Sequence, residues 1–160
     1  MSEANETRWL SEEEQQLWRH MIAASVKITR RIDDALREVS GLSSPEYAVM
    51  VNLSEAPGGE IRLRDLCVEL GWDRSRASHQ ITRMEKRGLV SKCTAKDDSR
   101  GVMVSLTEEG WRRLEVAVPD HVETVRRLVF DPTGEQDRAG ALRFLRAIVE
   151  AEENSGPKSG

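Results

Sequence analysis

Residues 73–90 run Asp73-Arg74-Ser75-Arg76-Ala77-Ser78-His79-Gln80-Ile81-Thr82-Arg83-Met84-Glu85-Lys86-Arg87-Gly88-Leu89-Val90, and the reading of the whole chain turns on them. Ala77, Ile81 and Met84 are spaced by four and three, which predicts a helix with one apolar face. Asp73 stands as its N-cap and Gly88 as its stop, so the helix runs to Arg87. At about 100° per residue, Ser75, His79, Thr82 and Lys86 fall within about 40° of the side opposite that face, with Arg83 beside them. That side holds no aliphatic residue. It mixes hydrogen-bonding groups suited to base edges with long cations that reach phosphate or guanine; an ordinary solvated face has a similar composition. Arg74 and Arg76 sit in the first turn, where the helix dipole disfavours each by roughly 0.3–1 kcal/mol. A phosphate docked at the helix start reconciles them, with backbone amides and both arginines converging on one anion. Without a ligand, Asp73 would have to offset the two charges.

Just upstream, a short extended segment at 61–63 leads into helical spacing of Leu63, Leu66, Cys67 and Leu70, which ends at Gly71. The turn Gly71-Trp72-Asp73 joins this helix to the next, with Trp72 placed to staple onto Ala77. Two helices around a three-residue turn containing glycine read as a helix-turn-helix. Downstream the period falls from about 3.6 to 2, so residues 89–95 and 102–106 are expected strands, the second turning Val102, Val104 and Leu106 inward. The polar loop Lys96-Asp97-Asp98-Ser99-Arg100-Gly101 between them makes a hairpin. Such a wing would carry Lys96 and Arg100 to the groove beside the one the helix occupies. Asp97 and Asp98 suit a phosphate surface only if one of them pairs with Arg100 and fixes its guanidinium.

Further out, the capping box Ser11-Glu12-Glu13-Glu14 opens a long helix reaching Val39, with Leu17, Met21, Ile28, Ile32, Leu36 and Val39 in a stripe that Trp18 and Ile22 widen; Gly41 stops it. Ser43-Ser44-Pro45-Glu46 starts another helix and Pro57-Gly58-Gly59 ends it, with Tyr47, Met50, Val51 and Leu53 on its buried face. Thr107 caps a helix that Pro119 should kink or break. Thr133-Gly134-Glu135-Gln136 reads as a capping box for the last helix, whose face is Leu142, Leu145, Ile148 and Val149. The stripes through Leu17, Trp18 and Met21 and through Leu142, Leu145 and Ile148 are too long for a small lobe to cover, so they are expected to pack across a two-fold axis.

At 160 residues, 38% hydrophobic and 32% charged, the chain has the size for one domain or two small units, and its five prolines and eleven glycines exclude collagen-like and linker proteins. The longest wholly apolar run, 47–51, is too short to cross a bilayer, and the acidic N-terminus lacks a signal-peptide core, so a cytoplasmic protein with no membrane partner is expected. The net charge of −4 is unevenly placed. Residues 62–100 hold ten basic and six acidic groups, whereas the segments on either side are net negative. A basic middle inside an acidic chain fits a nucleic-acid reader. Cys67 and Cys93 form no disulfide framework; Cys67 reads as core, and Cys93 as a strand residue near Lys92 and Lys96. His20, His79 and His121 lie far apart with no marked nucleophile, and the cysteines lack metal-binding spacing, so neither an enzyme nor a metal or other cofactor is expected. Trp9, Trp18 and Trp111 offer either a ligand cavity or anchors of a helical interface.

Three strings, residues 83–90, Asp98-Ser99-Arg100-Gly101 and Val104-Ser105-Leu106-Thr107-Glu108-Glu109-Gly110, together resemble the winged-helix core of the MarR family of bacterial transcriptional regulators. The resemblance implies a mainly α fold with a small β-wing. A winged helix-turn-helix lobe would occupy 41–106, helices of 1–40 and 107–151 would form the dimerisation region, and 152–160 would be a disordered tail. It also implies a homodimer gripping a pseudo-palindromic double-stranded DNA operator, most simply as a repressor responding to a small aromatic effector. Ser75, Arg76, Ser78, His79, Thr82 and Arg83 would face the major groove. Arg100, supported by Asp98, would enter the minor groove. Helix three departs from the family pattern: it opens with Arg62-Leu63-Arg64, without the serine or threonine cap common there. Two alternatives stand beside this reading, a winged-helix protein-interaction module and a thiol-based redox sensor. The redox branch of the family places its reactive cysteine in the first helix, where this chain has none.

Overall fold

The computed structural model describes residues 7–95 and 98–151, with backbone alone at Asp98 and Ser99. The elements are α1 (Glu12–Ser40), α2 (Ser44–Glu55), β1 (Glu60–Arg62), α3 (Leu63–Leu70), α4 (Arg74–Lys86), β2 (Val90–Ala95), β3 (Asp98–Leu106), α5 (Glu108–Val125) and α6 (Glu135–Glu150). The architecture is therefore mainly helical with a small β-wing, as the resemblance implies, and its antiparallel sheet takes in the short segment before α3 in the order β1-β3-β2. The chain divides into two compact units, one through Thr124 and one from Val125.

In the first unit, local signals set the helix ends. Ser11 Oγ accepts from the Glu14 amide at 3.1 Å while Glu14 accepts from the Ser11 amide at 2.7 Å, and Gly41 ends α1 at φ 67°. Ser43 and Glu46 make the same reciprocal box at α2. Asp33 of α1 accepts from the Ser44 amide at 2.8 Å and pairs with Arg37, which together hold its carboxyl below the usual range. The core draws Leu42, Met50 and Leu53 from the α1–α2 region, Leu66 from α3, Ile81 and Met84 from α4, and Leu89 and Val104 from the hairpin, all essentially without exposure. Each such side chain stabilises the unit by roughly 1.5–3 kcal/mol.

The hairpin is longer than its side-chain pattern indicates. Lys92 and Ile61 both lie opposite Val104, and a register shift at Thr94/Ala95 brings Ala95 opposite Asp98, so β3 begins at Asp98, not Val102. Backbone pairing continues through the polar residues because a bulge absorbs the offset. Lys96 and Asp97 lie outside the described residues, as do the Asp98 side chain and the tail 152–160. β1 ends at Arg62, and Leu63 opens α3 instead of ending the strand.

Pro119 does not break α5, which continues to Val125. Leu114, Ala117 and Thr124 are buried on both sides of the proline, and this anchoring outweighs the lost amide. At the start of α5, Thr107 Oγ1 accepts from the Gly110 amide at 3.0 Å and donates to the Gly88 carbonyl, while the Thr107 amide donates to the Leu89 carbonyl at 3.1 Å. Three elements, α4, the hairpin and α5, are thus fastened at one point.

The second unit begins with a π-helical turn, Arg126–Phe130, closed by the Asp131 amide on the Arg126 carbonyl at 2.8 Å. Thr133 is not the N-cap of α6. Its hydroxyl donates to the Val129 and Phe130 carbonyls, finishing the preceding turn, and Gly134 takes the cap position with its amide on Asp137.

Within the first unit, the His121 ring of α5 stacks on Tyr47 of α2, with centroids 4.4 Å apart and planes tilted by 36°. Its Nδ1 is buried and meets no hydrogen-bond partner among the described residues, and burial lowers the imidazole pKa from the ordinary 6.5. The unfolded chain, with the higher pKa, takes up this proton first. Stability should therefore fall as pH drops from about 6.5 through the depressed native value. Urea midpoints measured at about pH 7.5 and about pH 5.5 should differ more for wild type than for His121→Phe, which keeps the ring contact and removes the titration. An equal pH dependence in both would refute this.

Candidate nucleic-acid interface

Helix α4 is placed by its buried side. Ala77, Gln80, Ile81 and Met84 are buried, Asp73 Oδ1 accepts from the Arg76 amide at 2.8 Å, and Gly88 turns the chain at φ 72° so that the Leu89 amide reaches the Met84 carbonyl at 3.0 Å. The opposite side is open. Ser75, Arg76, Ser78, His79, Arg83 and Lys86 are exposed and Thr82 is half-buried. Sequence spacing missed Gln80, whose buried amide oxygen accepts from Arg83 and so orients that guanidinium along the helix.

The two arginines of the first turn do not converge. Arg76 stacks on the half-buried Trp72, with its guanidinium carbon 4.4 Å from the ring centroid, an arrangement that partly relieves its unfavourable place at a helix start. Arg74 instead borders a surface cavity of about 190 Å³ with Arg62, Arg64 and the exposed Arg100 of β3. Arg62 and Arg64 were legible in the sequence only as a missing cap, and among the described residues no side chain caps α3. Lys92 of β2 reaches α4 instead. Its ammonium lies 3.0 Å from Glu85 and 3.5 Å from Thr82, so it serves the end of α4. The adjacent Cys93 is exposed; Cys67 is half-buried and not the core residue expected, because Leu66 takes the core position of α3.

The C-terminal end of α4 is held by a clamp. Arg87 pairs with Glu46, whose side chain is 6% exposed, and donates to the Gly41 carbonyl at 2.9 Å. Glu46 is also the capping partner of Ser43. Arg87→Ala leaves a buried carboxylate without its counter-ion, which should cost about 2 kcal/mol after allowing for the exposed guanidinium. Thermal unfolding should show a fall of roughly 4–8 °C in Tm; a fall below about 1 °C would contradict the clamp.

The residues expected at a dimer interface are uncovered within the chain. On α1, Leu17 is 45% and Trp18 54% exposed and Met21 is half-buried; on α6, Leu142, Leu145 and Ile148 are 57%, 52% and 49% exposed. Trp9 is exposed ahead of α1, whereas Trp111 sits at the start of α5 close to Gly59.

The sequence profile of the MarR family matches residues 40–101. AbsC, a MarR family transcriptional regulator from Streptomyces coelicolor, is similar to the chain at 36% identity and a TM-score of 0.86, with 90% of this chain and 97% of AbsC covered. Sco3205, a MarR family transcriptional regulator from the same organism whose crystal structure is a complex with DNA, is 33% identical with a TM-score of 0.89, and 94% of each chain is covered. The transcriptional regulator HosA of Escherichia coli is 35% identical over 83 residues, a match spanning 51% of this chain and 59% of HosA.

Proposed function

The chain belongs to the MarR family of transcriptional regulators, and from that premise we propose that it binds a pseudo-palindromic DNA operator as a homodimer and acts as a ligand-responsive repressor. The observation that carries this reading is the exposed side of α4, which is free of aliphatic residues and flanked by the arginines of the α3 start and of β3. Ser75, Ser78, His79 and Thr82 supply groups for base edges, and Arg76, Arg83 and Lys86 reach guanine or phosphate. Arg74 and Arg100 lie to one side, Arg100 on the wing that would enter the neighbouring minor groove beside Asp98. The DNA complex of Sco3205, similar over almost its whole length, supports the same partner here.

Dimerisation rests on the uncovered stripes of α1 and α6, since exposed apolar faces of this extent mark interaction surfaces. A closed two-fold assembly presents two copies of α4 to two half-sites, centred about one helical turn apart or a multiple of it. The test is selection of duplexes from random sequence by the full chain, repeated with small aromatic acids present. An inverted-repeat consensus supports the reading, and weaker retention with one of the acids supports an effector. Selection of no sequence over background refutes it.

A further inference from the structure

Gln80 is a polar side chain set among the buried residues of α4, beside Ala77, Ile81 and Met84, and it is 5% exposed. A leucine or methionine of similar size would fill that place without taking an amide out of water. The amide oxygen of Gln80 accepts from Nη2 of Arg83, three residues on and on the same flank of the helix. Arg83 itself is exposed. The bond therefore joins the packed interior of the lobe to the open side of α4: packing fixes the acceptor, and the donor stands where a duplex would lie. Arg76, on the same open side, lies over the Trp72 ring, which restrains its plane but offers no acceptor to set its rotation.

A guanidinium carries five N–H donors in a planar fork. With one Nη2 hydrogen on Gln80, the Nη1 side and the second Nη2 hydrogen remain for two acceptors in one plane. Guanine presents such a pair, O6 and N7, in the major groove, whereas a phosphate accepts a cation in many poses. An arginine without a partner spreads over many rotamers and must be ordered on binding. Resting on the DNA-binding reading above, we propose that Gln80 is the positioning residue that makes Arg83 the reader of one guanine in each half-site. Gln80 touches no base. It fixes the plane of the Arg83 fork before DNA arrives, so a wrong base meets donors that cannot turn freely toward a nearby phosphate.

The test is titration of the selected duplex and its single-base variants with full-chain proteins. In wild type, replacing one guanine per half-site should weaken binding by roughly 5- to 100-fold. In Gln80→Leu that penalty should shrink to less than about threefold while the penalties at other positions hold. Gln80→Glu keeps an accepting oxygen and should retain the guanine preference. In an Arg83→Ala background, Gln80→Leu should change affinity by no more than about twofold on any duplex. A loss spread evenly over all positions in Gln80→Leu marks a merely structural residue and overturns the proposal, as does equal loss of the guanine preference in Gln80→Leu and Gln80→Glu. An Arg83→Ala loss that singles out no position overturns it too. Should the Gln80 variants fail to fold, ¹⁵N relaxation of Arg83 Nε in free wild type decides: an order parameter above about 0.6 is expected, and a lower one shows a guanidinium that is not held and overturns the proposal. All these outcomes leave the DNA reading intact. Failure of wild type to select any duplex overturns both.

Discussion

Gly110→Ala should lower the melting temperature by roughly 10 °C and leave the protein prone to aggregation. Gly110 lies in the first turn of α5, where alanine would ordinarily improve a helix by about 1 kcal/mol. Here an added Cβ would stand 2.1 Å from the Leu89 carbonyl oxygen, an atom of the backbone that cannot swing aside. Relief requires α5 to move off the hairpin. That movement breaks the Thr107 amide bond to the Leu89 carbonyl and the Thr107 hydroxyl bond to the Gly88 carbonyl. Overpacking of about 2–3 kcal/mol and two hydrogen bonds at about 1 kcal/mol each exceed the propensity gain several-fold. Differential scanning calorimetry reads the result, and an unchanged or raised Tm would show that the helix start adapts without loss.

The second large effect separates base reading from groove reading. Arg100→Ala should weaken binding about 10- to 100-fold on nearly all sequences, because an arginine in the minor groove senses groove width and potential more than base identity. His79→Ala should weaken binding to the preferred operator and bring it closer to its one-base variants, since an exposed residue in the middle of α4 is placed over base edges. Titrating a panel of single-base operator variants with both proteins distinguishes the two patterns. If both variants bind every duplex as wild type does, the faces are assigned wrongly.

How much of this was legible in the sequence depends on the range of the signal. Caps and periodicity act within a few residues, so α1, α2 and α4 were read with ends correct to a residue or two: Ser11, Ser43, Asp73 and Gly88 do what their types dictate. The polar half of β3 was missed because strand pairing is made by backbone, and the Thr94/Ala95 bulge leaves no mark in side-chain alternation. Pro119 reads locally as a kink or a break, while burial on either side keeps α5 running to Val125. The open face of α4 followed from angular spacing alone, so Ser75, His79 and Arg83 stand exposed as expected. Neither the Arg87–Glu46 clamp, spanning 41 residues, nor the meeting of Arg62 and Arg64 with Arg74 and Arg100 has a local signature. Both arise from tertiary packing. The separation of Arg74 from Arg76 also needed the structure, because only the fold places Trp72 under one of them.

The most direct measurement of the central claim is the affinity of the full chain for its selected duplex across a series of salt concentrations, beside a scrambled duplex of equal length. Counterion release on a surface carrying the α4 face and the arginine cavity predicts a Kd of about 10⁻⁸ M or tighter near physiological salt. It also predicts a log–log slope steeper than about −4, and at least about a thousandfold preference over the scrambled duplex. A salt-insensitive affinity, or equal binding to both duplexes, would contradict a sequence-reading regulator and mark the lobe as a surface for another protein.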